Sequence, residues 1–414
     1  MRRELVSHIP ASPLCVYAIA CCLDLEQEAR QAARAVFEQG VKDTYVAELE
    51  DLTAGAYQRL LDYCQPGLFR LLQFLPRDLS SSHPPQATAF TSDTLNIPTT
   101  LAPHPFCEED ADFSIVSSDN VEFRVSTLLM KLFSPALSSM ITNAVQLASS
   151  STSTPHSRPT LPVPESSSTL TILLTLCYPL DEPIVSSFDD AYAALVAAIK
   201  YKVPRAMRFL TSALPALCND PVKLYFMACS HGLQKLAVTV ARRAIRKDLS
   251  KLNYPEMDCG HLSGGHLYRL LDYQRRIASA RKNILTSRDW IDADMRKVIA
   301  TGCRSSRPYS GEDYYPCWFK PYVDDLVRST STWGGAESVT DVSLIERSLE
   351  SAHDRYSSRC SYCTYPNGVA ALLKFSRYLA DKISTVEEQV GRSLNVVVHP
   401  HANLQLQTTL DWKN

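Results

Sequence analysis

The chain repeats part of itself. With an offset of 208 positions, Pro13, Tyr17, Ala20, Cys21, Leu25, Ala29, Ala33 and Arg34 fall on Pro221, Tyr225, Ala228, Cys229, Leu233, Ala237, Ala241 and Arg242. After a small insertion, Gly55 and the run Arg59-Leu-Leu-Asp-Tyr63 fall on Gly265 and Arg269-Leu-Leu-Asp-Tyr273. Self-similarity of this kind means that one structural unit is built twice. Each copy reads as three helices. In the second helix Ala29, Ala32, Ala33, Val36 and Phe37 recur at helical spacing, as do Ala237, Val240, Ala241, Ala244 and Ile245. Small residues on such a stripe allow helices to approach closely. The third helix starts at Thr53 or Ser263, residue types that cap helix N-termini. It then buries Tyr57, Leu60, Leu61 and Cys64, or Leu267, Leu270 and Leu271. The repeat also bears on the N-terminus, where Met1-Arg-Arg and the apolar residues 14–23 imitate a secretory signal. A sequence reused in mid-chain as a folded segment argues against a cleaved leader.

Between the copies, residues 108–214 show a different pattern. Phe113 and Ile115, then Val121, Phe123 and Val125, alternate with polar residues, the period of a half-buried hairpin. Asp119-Asn120 supplies the turn, since both residue types tolerate left-handed backbone angles. A helix follows with Leu128, Leu129, Leu132 and Phe133. Ser134-Pro135 opens another, carrying Leu137, Met140 and Ile141. Leu161-Pro-Val-Pro164 is a short candidate strand. A helix with Leu170, Leu173 and Leu174 stops at Cys177-Tyr-Pro179, and a helical pair runs through Ala194, Leu195, Ile199, Met207 and Leu210.

The order of these pieces resembles the BTB/POZ domain, in the style of proteins common in mushroom-forming fungi. The matching segments are Asp112-Phe-Ser-Ile-Val, Val121-Glu-Phe-Arg-Val, Phe133-Ser-Pro, Leu173-Leu-Thr-Leu-Cys-Tyr-Pro179 and Ala197-Ala-Ile-Lys-Tyr201. The repeated helical unit resembles the BACK-like extension that commonly follows such a domain. The resemblance implies an α+β fold, a small sheet with packed helices, flanked by mainly helical regions. It also implies a homodimer, or recruitment of a partner such as a cullin ubiquitin-ligase scaffold or a transcriptional co-regulator. The surface for that role would lie on the helices after the hairpin, at Leu128, Leu129, Leu132, Leu137, Met140 and Ile141. Ser126-Thr127 stands where many relatives carry a His-Lys pair, so a polar function of that pair is not expected here. One helical unit precedes the BTB-like segment, an order expected of a tandem duplication that lost its first BTB unit or of a truncated gene model.

The expected organisation is a first helical copy over 1–75, a Pro/Ser/Thr-rich linker over 76–107 and the BTB-like domain over 108–218. A disordered insert near 146–164 interrupts that domain. The second copy follows over 219–290, then a helical region with a cysteine cluster over 291–398 and a disordered tail over 399–414. In the C-terminal region a short helix passes through Val323, Leu326 and Val327. Helices are also expected around 342–356 and 369–390, the last with Leu372, Phe375, Leu379, Ile383, Val386 and Val390 on one stripe.

Composition narrows the chemistry. Lys+Arg 42 against Asp+Glu 44 leave a net charge of −2, so no global field attracts nucleic acid or acidic membrane. No apolar run approaches the roughly 20 residues of a membrane span. The 13 cysteines are scattered through apolar patterns, which suits reduced thiols in cytoplasm or nucleus. No dinucleotide loop, phosphate loop, His-Glu-x-x-His or Gly-x-Ser-x-Gly is present, so a non-enzymatic protein is expected. The run Gly260-His-Leu-Ser-Gly-Gly-His266 reads as a loop and helix start, and Asp324-Asp325 as a solvated helix face. Cys360-Ser-Tyr-Cys363 can chelate zinc, and Cys303 and Cys317 could complete a tetrahedral set, making a structural zinc the one cofactor considered. With Arg242, Arg243, Arg246, Lys247 and Lys251, and Arg275, Arg276, Arg281 and Lys282, these cysteines give the alternative reading. That alternative is a zinc-binding, nucleic-acid-associated regulator. Cations at helix C-termini are already explained by the helix dipole.

Overall fold

The computed structural model describes residues 2–65, 99–150, 158–247, 249, 252, 257, 262–300, 315–329, 336–355 and 366–392. The helices α1 (Arg2–Ser7), α2 (Pro13–Cys22), α3 (Glu26–Gln39) and α4 (Ala54–Tyr63) come first. Strands β1 (Thr100–Leu101), β2 (Phe113–Val116) and β3 (Val121–Val125) precede α5 (Thr127–Phe133) and α6 (Pro135–Ser150). Then follow β4 (Thr160–Pro162), α7 (Ser167–Cys177), α8 (Phe188–Lys200), α9 (Pro204–Leu217), α10 (Pro221–Ser230) and α11 (Gln234–Ala244). The chain continues through α12 (Gly264–Thr286), α13 (Ala293–Ala300), α14 (Phe319–Ser329), α15 (Val342–Arg355) and α16 (Pro366–Arg392). The architecture is α+β, mostly helical with one small mixed sheet. Met1–Leu79 and Pro221–Asn414 form one compact unit and Ser80–Asp220 another. Among the described residues, no helix is long and apolar enough to cross a membrane.

In the sheet unit the strand order is β1-β3-β2-β4. The expected hairpin is there: β2 and β3 are antiparallel, with Phe113 opposite Val125 and Ile115 opposite Phe123. These four side chains are buried, which fixes the register because a one-residue slip would turn them all to the other face. Asn120 makes the turn with φ of 59°. Beside it the Asp119 carboxylate accepts from the Ser167 backbone N–H (2.9 Å) and hydroxyl (2.6 Å), tying the hairpin to the start of α7. Hydrogen bonds from Ser117 and Ser167 hold Asp119 down to about 2. A depressed carboxylate stabilises the fold above its unfolded value, about 3.9, and that contribution is lost as pH falls through the folded value. Asp119→Asn is therefore expected to flatten the acid unfolding curve of this unit between about pH 4 and about 2, followed by circular dichroism.

Two expected boundaries shift. Residues 99–107, assigned to the linker, belong to the sheet unit: β1 pairs in parallel with β3 at Thr100↔Val121, and Phe106 is buried. Phe106 packs on Phe123 (5.8 Å between ring centroids) and edge-on to Tyr178 (5.4 Å). Prolines around this aromatic hid the pattern. The insert expected near 146–164 is shorter than that range, since α6 continues to Ser150 and β4 pairs in parallel with β2 through Ile115↔Leu161. Residues 151–157 lie outside the described residues. Ser134 caps α6 as anticipated, its hydroxyl accepting from Leu137 N–H (2.9 Å) and donating to the Tyr201 carbonyl.

In the helical unit the repeat becomes visible as geometry. Thr53 and Ser263 cap α4 and α12, accepting from Ala56 N–H (3.2 Å) and His266 N–H (3.3 Å). The two caps also form an antiparallel bridge with each other. Ala54 N–H donates to Leu262 C=O (2.8 Å) and Gly264 N–H to Leu52 C=O (2.6 Å), a reciprocal pair that relates the copies by a local two-fold exchange. Inside each copy, matching tyrosines make matching bonds. Tyr17 OH donates to Ala56 C=O (2.8 Å), and Tyr225 OH to His266 C=O (3.0 Å). A side chain at Gly264 would begin 3.1 Å from Tyr57 Cβ and 3.2 Å from the Leu49 carbonyl, so any larger residue would have to push these neighbours back by a few tenths of an ångström. The alanine stripes of α3 and α11 are buried, whereas Phe37 is exposed and meets Tyr63 edge-on at 6.3 Å. Leu271 is only half-buried, and Tyr273 takes the inward place instead. Tyr17→Phe and Tyr225→Phe are each expected to lower stability by about 1 kcal/mol in chemical denaturation, the usual worth of one buried hydrogen bond. Sharply unequal losses would contradict the equivalence of the copies.

A second core in this unit gathers around Phe375 of α16 and Trp318, with Phe319, Tyr322, Leu326, Leu372, Leu379 and Ile383. The expected stripe on the last helix therefore faces inward at Leu372, Phe375, Leu379 and Ile383, while Val386 and Val390 are half-buried.

Candidate interaction surface

The helices after the hairpin are set by polar anchors at their ends. Asp112, just before β2, accepts from Thr127 N–H (2.8 Å), and the Thr127 hydroxyl also donates to its carboxylate. Ser126 N–H donates to Tyr178 OH (2.9 Å). Thr127 thus starts α5 with its N–H and hydroxyl both on Asp112, and Ser126 is held through its backbone N–H. Over the two turns of α5, Met130 points inward and is fully buried. Positions 128 and 132 lie on the opposite side at 100° per residue, and Leu128 and Leu132 are 76% and 71% exposed. Leucines are ordinarily buried when a core is within reach, so a pair held outward at i, i+4 is the informative exception.

The six apolar positions proposed as a contact surface divide accordingly. Leu128 and Leu132 are exposed, and Leu129 and Met140 are half-buried. Leu137 and Ile141 are corrections: both are buried core residues, because the i, i+4 stripe of α6 faces inward. Leu147 near the end of α6, not anticipated, is 71% exposed. Since α5 is apolar nearly all round, periodicity could not separate its inner from its outer face.

Polar side chains elsewhere in the sheet unit serve the fold. Glu165 accepts from Tyr201 OH (2.6 Å) and pairs with Lys200 (2.7 Å), while its own carbonyl receives Ser118 N–H (2.9 Å). Glu122 accepts from Ser114 OH (2.6 Å) and lies within 3.7 Å of Arg124 and 3.6 Å of Arg158. Burial pushes the Cys177 thiol up to about 12, so it stays protonated and inert near neutrality. Cys21 and Cys229, equivalent in the two copies, are pushed up to about 12 for the same reason.

Of the four proposed zinc ligands, Cys303, Cys360 and Cys363 lie outside the described residues. Cys317 is buried in the core around Trp318. Among the described residues, one group brings potential ligands together: His104, Cys107 and Glu108, in the turn after β1. Four of the clustered basic residues pair with acidic side chains. Arg246 approaches Glu337 (4.0 Å), Arg276 approaches Asp272 (4.0 Å), Arg275 pairs with Asp43, and Arg281 pairs with Glu387 (2.6 Å). Asp325 pairs with Arg328 on its own helix. His266 completes a capping box with Ser263, whose N–H it accepts at 3.3 Å, as its place at a helix start suggested. No family model, curated protein or solved structure matches the chain.

Proposed function

We propose that the chain is a non-enzymatic interaction protein acting through a BTB/POZ-like unit, by self-association, by recruiting a partner polypeptide, or both. The observation that carries this reading is the outward leucine pair of α5, Leu128 and Leu132, on a unit with a hairpin, two helices, a parallel strand and further helices in that order. Apolar side chains already held in water on a helix need little reorganisation when another surface covers them, and covering them returns their burial energy.

Substituting both leucines tests it. Leu128→Asp/Leu132→Asp lies on an exposed face and should leave folding within about 0.5 kcal/mol of wild type. In light scattering after size exclusion, a wild-type dimer should become a monomer. In proximity labelling from the full chain, enrichment of a cullin scaffold or a transcriptional regulator should fall at least about tenfold. A wild-type chain that is monomeric and enriches no partner would overturn the reading, as would a double variant that keeps every association.

A further inference from the structure

We propose that His104, Cys107 and Glu108 bind one divalent zinc-like ion, independently of the adaptor role. The three residues offer an imidazole nitrogen, a sulfur and a carboxylate oxygen, all within 4.8 Å of one another. A tetrahedral zinc with bonds of about 2.0–2.3 Å holds its ligand atoms roughly 3.3–3.8 Å apart, so side-chain adjustment of about 1 Å closes the set. His104 Nδ1 and Glu108 Oε1 share a hydrogen bond at 2.9 Å, which the ion would replace by drawing the two atoms apart to its own ligand spacing. The mixed imidazole–thiolate set selects zinc or cobalt over magnesium or calcium, which take oxygen ligands.

The backbone that carries these ligands is fixed from beneath. Ala102 N–H donates to Glu122 C=O (2.8 Å), and Phe106 N–H closes the turn onto Pro103 C=O (3.0 Å). Arg124 N–H donates to Phe106 C=O (2.9 Å), and the Arg124 guanidinium donates to Cys107 C=O (3.3 Å). With the Phe106 ring sunk in the core, His104, Cys107 and Glu108 project from a turn whose ends cannot separate. Ordering entropy that a loose loop would lose on binding is thus spent during folding. Three protein ligands leave one position of a tetrahedron for water or for a donor from another molecule.

The test is a cobalt titration of the metal-stripped full chain, followed by zinc competition. Cobalt should bind with a thiolate-to-metal charge-transfer band and visible bands of tetrahedral intensity. Cys107→Ser should abolish the charge-transfer band, and His104→Ala should weaken zinc at least about tenfold, a loss at the scale seen when a metal site is disturbed. Glu108→Gln should keep the band and weaken binding. Because other thiols could bind cobalt, the variant Cys303→Ser/Cys360→Ser/Cys363→Ser serves as the control and should retain the band. The proposal falls if no thiolate band forms, if Cys107→Ser keeps it, or if the triple variant loses it. None of these outcomes depends on the Leu128/Leu132 surface.

Discussion

Replacing Phe375 with alanine is expected to remove about 3–5 kcal/mol from the stability of the helical unit. The ring is fully buried, and its centroid lies 5.3 Å from Phe319, 5.9 Å from Trp318, 6.1 Å from Trp290 and 6.1 Å from Tyr322. Aromatic pairs at such distances add to the burial energy. Few side chains can move into the space left behind, because the surrounding rings are themselves braced. Trp290 Nε1 donates to Ile284 C=O (2.6 Å), and Tyr322 OH to Val339 C=O (2.6 Å). None of the four tryptophans (290, 318, 333 and 412) falls within residues 80–220, and Trp290 and Trp318 lie in this core, so tryptophan fluorescence in urea follows the unfolding of this unit. Phe375→Leu should recover most of the loss. A Phe375→Ala change below about 1 kcal/mol would mean that this core is not what holds the C-terminal helices.

What the sequence disclosed was set by how local each signal is. The hairpin was legible because alternation and an Asp-Asn turn act within 14 residues, and the structure pairs Phe113 with Val125 as that pattern demands. The caps Thr53, Ser134 and Ser263 were legible for the same reason. Edge strand β1 was not: two residues flanked by prolines carry no period, and only burial of Phe106 some residues later marks the segment as folded. The contact surface was half legible. Apolar composition announced that α5 and α6 mattered, but choosing Leu128 over Leu137 needs the position of the sheet. The repeat gave two copies of a unit and no hint that they would meet at their own helix starts, since pairing between Leu52–Ala54 and Leu262–Gly264 spans more than 200 positions.

Glu50 shows the same limit and yields the second large effect. The 210-position offset of the neighbouring Gly55–Tyr63 run places Gly260 opposite it, and nothing in its own neighbourhood singles it out. In the structure its carboxylate receives Tyr45 OH (2.8 Å), Ser263 OH (3.1 Å) and the guanidinium of Arg269, so one acidic residue of the first copy fastens the second. The side chains of Arg269 and Glu50 are 11% and 20% exposed. Breaking a fully buried pair from one side costs about 3–5 kcal/mol. Partial access to water reduces this, and Glu50→Ala is expected to cost about 2–3 kcal/mol by the same fluorescence readout. Most of that cost is the stranded Arg269 cation, whose loss of a partner outweighs the hydrogen bonds from Tyr45 and Ser263. The double variant Glu50→Ala/Arg269→Ala should therefore be more stable than the sum of the single losses predicts, by at least about 1 kcal/mol, the signature of directly coupled groups. Amide exchange at Ala54 and Gly264 should quicken in Glu50→Ala, because those two N–H groups form the reciprocal bonds that the pair secures. Simple additivity with unchanged exchange would show that the two copies are held together by the packing of α4 on α12 alone, and that the ion pair only decorates a junction the alanine and glycine surfaces already close.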